Sequence, residues 1–136
     1  MRRLTVVALL LTALFFVVAR SFASQAITND ITEDRGADWS LSYIWTTGDV
    51  SNGITPTPVD LTGATAAFSI RTSPDPSTTP LFTEACTLGG TSGTLAFGMT
   101  AAQSLGVPSG DYPYDVFVTF PSGQVYKFLV GLAHLR

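Results

Sequence analysis

Apolar and polar side chains alternate with a period of two residues along several short segments of this chain. Residues 39–46 read WSLSYIWT, and residues 112–120 read YPYDVFVTF. Such alternation places one set of side chains on one face of a strand and the next set on the other. The sequence therefore predicts half-buried β-strands. These strands are expected at residues 27–32, 39–46, 65–72, 81–86, 94–99, 112–120 and 125–132.

Turn-forming residues separate these segments, and one segment departs from the β pattern. It begins at Thr100, a residue type that caps helices, and stops at Gly106 with Pro108 beyond. We expect one or two helical turns there, with Leu105 packed on one end of the fold. The whole pattern predicts an all-β fold, an immunoglobulin-like antiparallel β-sandwich of about seven strands with one short helical turn.

Most aromatic residues occupy the alternating strand positions. They could build a platform that stacks on sugars, as in carbohydrate-binding sandwiches, but the period of two favours a core. In the last predicted strand the same rule assigns Tyr126, Phe128, Val130 and Leu132 to the core face.

A protein-contact surface is predicted from residues that the alternation does not assign to the core. Ile44, Phe117 and Leu129 lie on the strand faces opposite those that carry most apolar side chains. If these faces point outward, the three residues would form an apolar patch suited to a neighbouring subunit. The longest predicted loop, which carries Asp49 and Asn52, is the expected partner-facing tip. These five residues are the candidate interface.

The first 25 residues form a hydrophobic leader ahead of one predicted domain, residues 26–136. Arg2 and Arg3 precede an uncharged, mostly apolar run of about 16 residues, a little short for the roughly 20 of a spanning helix. Small residues follow, as at a signal-peptide cleavage site. The leader is therefore a cleaved signal, a retained helical anchor or the product of a start codon assigned too early.

Charge excludes one class of partner. Without the leader, four Lys and Arg residues face ten Asp and Glu residues, a net charge of −6. Nucleic-acid binding needs clustered basic side chains, so this balance argues against nucleic acid.

The sequence offers little for catalysis or metal binding. His134 is the only histidine and lies near the C-terminus, where a catalytic triad would hold it poorly. Cys86 is the only cysteine, so neither an intrachain disulfide nor the usual zinc ligand set is available, and a small core position is expected for it. We predict no enzyme activity, no cofactor, no metal and no small-molecule substrate.

Carboxylates leave a weaker alternative open. Asp30, Glu33, Asp34 and Asp38 are close in sequence and could serve glycoside hydrolysis or hold calcium, although a solvated acidic turn is favoured. Asp60 is expected to cap a turn. Asp111 and Asp115 are expected on the outward face of a strand.

Four segments carry a resemblance to a known family. Residues 59–71 read VDLTGATAAFSIR, and residues 34–41 contain an RG(A)DWSL run with one inserted alanine. Residues 99–105 read MTAAQSL, and residues 109–116 read SGDYPYDV. In order and spacing they resemble small β-sandwich modules of tailed-phage particles, such as the N-terminal domain of upper baseplate proteins.

The resemblance implies a structural protein of a virion: a baseplate, tail, neck or capsid-surface adaptor that contacts other virion proteins and copies of itself. Membrane contact would follow only if the leader is kept as an anchor. The alternative is an exported, periplasmic or secreted bacterial module, either adhesin-like or carbohydrate-binding, which the leader would direct out of the cell.

Overall fold

The computed structural model describes residues 26–47 and 52–136, together with the backbone of Leu4–Leu10 and Ala13–Val17. The chain is mostly β, with one short helix. The strands are β1 (Leu4–Leu10), β2 (Ala13–Val17), β3 (Ile27–Thr28), β4 (Ile31–Glu33), β5 (Trp39–Thr47), β6 (Thr57–Pro58), β7 (Thr65–Ile70), β8 (Phe82–Ala85), β9 (Thr87–Leu88), β10 (Thr94–Met99), β11 (Gly110–Thr119) and β12 (Val125–Leu135). The helix, α1, is Ala101–Leu105.

The strands form two sheets that pack against one another. In the first, the β5 sheet, the order is β2-β1-β5-β10-β9, with β6 also paired to β5. In the second, the β11 sheet, the order is β3-β12-β11-β7-β8, with β4 also paired to β12. The two-sheet, mostly β architecture expected from the alternation is confirmed. Each of the seven predicted segments contains a strand, and the strands β1, β2, β6 and β9 were not predicted.

Aromatic side chains from both sheets meet in the space between them. The rings of Phe68 and Phe97, one from each sheet, stack with centroids 4.7 Å apart. The Trp45 ring lies 5.1 Å from that of Phe128, and Tyr43 packs edge-on against the same ring. These contacts confirm the prediction of an aromatic core. The sugar-stacking alternative loses Tyr43, Trp45 and Phe128, which are buried between the sheets.

A β-bulge changes which side chains of β12 face the core. Val116 pairs with Leu129 and Phe117 with Lys127, so Phe128 is one extra residue on β12. After the bulge, the positions of β12 that face the core are shifted by one residue. Phe128 and Leu129, on either side of the shift, are both buried.

Beyond the bulge the predicted faces are therefore wrong. Ala133 and Leu135 are fully buried, whereas Leu132, which the alternation assigned to the core, is 40% exposed. Val130 is half-buried instead of lying in the core.

The first predicted strand, residues 27–32, is broken at Asn29 and Asp30. Its halves, β3 and β4, pair in parallel with β12, whereas an antiparallel arrangement was expected. At the break the Asp30 carboxylate accepts the Leu132 N–H at 2.8 Å, which replaces a backbone partner. A Cβ on Gly131 would lie 2.1 Å from the Asn29 carbonyl oxygen, so glycine is needed where the chains approach.

Helix α1 begins and ends as predicted. Thr100 is its N-cap in a capping box with Gln103, and Gly106 is its C-cap. The expected packing of Leu105 is wrong, because that side chain is 57% exposed. Val107, which follows the helix, is buried in its place.

The leader is described only in two ranges. The backbone of Leu4–Leu10 is extended and pairs antiparallel with β5, and Ala13–Val17 pairs with Leu4–Leu10. These two ranges are strands in the structure, and the anchor interpretation stays a prediction. The remaining leader residues lie outside the described residues, and processing of the leader stays a prediction.

Candidate functional site

The predicted interface residues do not come together on one surface. Ile44 and Phe117 are half-buried on the outer faces of different sheets. Leu129 is fully buried at the bulge, so the expectation that it faces outward is wrong. Asn52 is exposed. Asp49 lies outside the described residues.

Phe117 belongs to a shallow depression on the outer face of the β11 sheet. The depression measures about 270 Å³ and is lined mainly by small side chains, including Ala67, Ala85 and Thr119. The Lys127 ammonium lies 5.4 Å from the centre of the Phe117 ring, within cation–π range. This face therefore combines small side chains, one aromatic ring and one cation.

The predicted acidic cluster is divided among separate structural tasks. Asp30 bonds to the β12 backbone, as described above, and the Asp38 carboxylate accepts the Ala101 N–H at 2.6 Å. Burial, and then the neighbouring Asp34 carboxylate, raise the pKa of Glu33. Among the described residues no group of three or more His, Cys, Asp or Glu side chains is arranged to hold a metal ion.

The remaining candidate groups have local partners. Asp60 caps its turn as predicted, accepting the Thr62 N–H at 2.9 Å. Hydrogen bonding to the Thr62 side chain, and then to its backbone N–H, lowers the pKa of Asp60. Asp111 accepts from His134 Nδ1 at 2.7 Å and from Arg136 at 2.8 Å, and these bonds, the first one most, lower the pKa of Asp111.

Cys86 is half-buried and packs against the core, as expected. Burial raises the pKa of its thiol to about 12.

A buried ion pair that sequence reasoning missed joins β7 to β11. Arg71 Nε lies 2.7 Å from Asp115 Oδ2, and both residues are more than nine-tenths buried. Arg71 also donates to the Thr78 carbonyl, which ties down the loop after β7. Asp115 does lie on the face opposite Tyr114 and Val116, but the expectation that it is exposed to solvent is wrong.

A second polar unit holds α1 at both ends. Arg35 donates to the carbonyl oxygens of Val107 at 2.8 Å and Leu105 at 3.0 Å, at the C-terminal end of the helix. At the N-terminal end of the helix, the Asp38 carboxylate accepts the Ala101 N–H. The buried Ser104 hydroxyl accepts the Gly36 N–H at 2.8 Å.

The four segments that carry the family resemblance thus join in two pairs. Residues 34–41 hold the helix of residues 99–105, and the Arg that ends residues 59–71 pairs with the Asp in residues 109–116. One signal could have suggested the second pair, because a charged residue between apolar neighbours in a strand is rarely buried without a partner.

Comparison with known proteins adds no family to this description. No protein-family model and no curated protein matches the chain. No helix among the described residues is long and apolar enough to span a membrane.

Proposed function

We propose that this chain is a non-enzymatic structural protein of a tailed-phage particle, serving as a baseplate, tail, neck or capsid-surface adaptor. Its domain is an immunoglobulin-like sandwich that presents sheet faces and loops to other virion proteins and to copies of itself. Crossovers between two largely antiparallel sheets support the immunoglobulin-like assignment.

The observation that carries the proposal is the pairing of the four motifs. Arg35 and Asp38 each hold the backbone at one end of α1, and Arg71 pairs with Asp115. These charged groups are therefore used within the fold. The order and spacing of these motifs carry the resemblance to the phage modules on which the proposal rests.

The composition of native particles tests this function. Intact mass and N-terminal sequence would be measured on purified phage particles and, in parallel, on culture supernatant. We expect the chain in particles at a fixed ratio to known structural proteins, with its first residue between Ser24 and Ile27.

A chain found only in the periplasm or medium, cut after Ala23 or Ala26, would overturn the virion assignment and favour the exported module. A mapped transcript start distinguishes a cleaved leader from one that is never translated.

A further inference from the structure

The edge of β10 that faces away from β5 is only partly covered. β9 pairs with two residues of β10, Leu95 and Ala96. Backbone polar groups alternate between the two sides of a strand, and Thr94 accepts the Gly89 N–H on the β9 side. Gly98, four residues after Thr94, therefore directs its N–H and C=O to that same side, beyond the end of β9.

The uncovered edge arises where the chain crosses between sheets. The Cys86 N–H still bonds to the Ala66 carbonyl of the β11 sheet at 2.8 Å, while Thr87 already pairs with Ala96 of the β5 sheet. The crossing leaves one side of the sandwich open. A groove of about 770 Å³ lies there, lined by residues of β8 and β10 among others, and we call it the β10 groove.

The β10 groove lets another backbone approach closely. Gly98 carries no side chain, and a Cβ there would lie 2.1 Å from the Trp39 carbonyl oxygen, so glycine is required. Its neighbour on the same face, Ala96, has only a methyl group. On this face of β10 an extended chain therefore meets only small groups, while larger side chains such as Trp39 and Met99 line other parts of the groove.

The groove is acidic. Glu33, Asp38 and Glu84 line it, and no Lys, Arg or His does so among the described residues. Asp38 bonds to α1, and Glu84 accepts from Gln103 at 2.8 Å. The raised pKa of Glu33 reflects burial of a carboxylate beside Asp34, which a cation placed in the groove would offset.

We infer that the β10 groove binds an extended, basic segment of a partner protein, which adds to β10 as a further strand. Main-chain bonds to the Gly98 edge would supply affinity, and a lysine or arginine that meets the groove carboxylates would supply specificity. The inference rests on the protein-binding part of the proposed function and not on the virion assignment.

A second copy of this chain is the less suitable occupant. Its four basic side chains in the described residues already have contacts within their own fold, with Asp115, Asp111, the carbonyls after α1 and the Phe117 ring. A partner whose lysine or arginine has no such contact can bind the groove without first breaking one.

Selection from a displayed library of random decapeptides tests the inference. The library would be selected on the full chain and then measured against a Glu33→Gln/Glu84→Gln variant, in which each amide keeps the shape of the carboxylate it replaces. Asp60→Asn/Asp75→Asn is the matched control, because it removes the same charge from two exposed turns outside the groove.

We expect enriched peptides that alternate with a period of two and contain lysine or arginine. Their affinity should fall about tenfold in the groove variant and stay within about twofold in the control. In spectra of the ¹⁵N-labelled chain, the amides of Ala96 and Gly98 should shift on binding.

Several results would overturn the inference: no enrichment, enriched peptides without a basic residue, equal affinity for the groove variant, or shifts confined to another edge. A dimer in sedimentation that the groove variant abolishes would assign the groove to a second copy instead. None of these outcomes changes the ratio of this chain to known structural proteins in purified particles. The groove inference and the virion proposal can therefore be rejected independently of each other.

Discussion

At the scale of single residues, the Arg71–Asp115 pair is a buried ion pair in the described part of the chain. Both groups are removed from water, and Asp115 Oδ1 has no hydrogen-bond partner among the described residues. Such a pair adds little net stability, because desolvation offsets the attraction, but removing one partner leaves a buried charge alone.

Asp115→Ala is therefore expected to lower the free energy of unfolding by about 3–5 kcal/mol. Arg71→Met/Asp115→Leu, which removes both charges, should cost clearly less than the sum of the single changes. Urea denaturation of the wild type, Asp115→Ala, Arg71→Met, Asp115→Leu and the double variant measures these values. A cost for Asp115→Ala no larger than that of Asp60→Ala, at an exposed turn, would contradict the buried pair.

Cys86 illustrates how burial changes reactivity at one residue. Because its thiol pKa is about 12, very little thiolate exists near neutral pH, and the thiolate is the reactive form. At pH 8 we expect a disulfide reagent to label the native chain at least about a hundredfold more slowly than the urea-unfolded chain. Equal rates in the two states would show that the thiol is accessible and ionised normally.

At the scale of elements, the bulge in β12 decides which side chains form the core. Strict alternation would bury Leu132 and expose Leu129, whereas the extra residue Phe128 reverses that assignment. The two leucines are chemically identical and only three positions apart, so they form a matched pair.

Leu129→Ala should cost about 2–5 kcal/mol, because it leaves a cavity in the core. Leu132→Ala should change stability by no more than about 0.5 kcal/mol, since that side chain is largely exposed. Thermal or urea unfolding of both variants compares them. Similar losses in the two variants would place the bulge elsewhere on β12.

At the scale of the whole molecule, both sheets depend on one shared core. Trp39 of β5 contacts Phe68 of β7, and Trp45 of β5 contacts Phe120, Tyr126 and Phe128 of the opposite layer. Neither sheet can bury its inner face without the other.

We therefore expect residues 26–136 to unfold in one cooperative transition. Tryptophan emission, which reports on the core, and far-ultraviolet circular dichroism, which reports on the strands, should give the same midpoint in urea. The emission should shift to longer wavelength as both indoles meet water. Two separate midpoints would show that the sheets unfold independently and would contradict the shared core.

Much of this fold is local and could be predicted from the sequence. Alternation fixes the inner faces of β5, β10 and β11, because successive side chains of any strand point to opposite sides. Thr100 and Gly106 fix the ends of α1 through capping, which depends on neighbouring residues alone. The Asp60 turn is equally local.

Other features required the tertiary structure because they join residues distant in sequence. The bulge depends on how β11 and β12 pair, and the ion pair depends on β7 lying beside β11. The division of the acidic cluster depends on where α1 and β12 lie. The β10 groove exists only because the chain crosses from the β11 sheet to the β5 sheet at Cys86 and Thr87. After this crossing, β9 pairs with only two residues of β10.

The sequence by itself thus determined the element types, the turn and helix caps and the aromatic core, since each follows from neighbours along the chain. Only the tertiary structure decided which charged groups are buried and paired, which leucine of β12 is in the core and where a strand edge stays open. Those properties depend on distances between separate segments, and no local pattern records such distances.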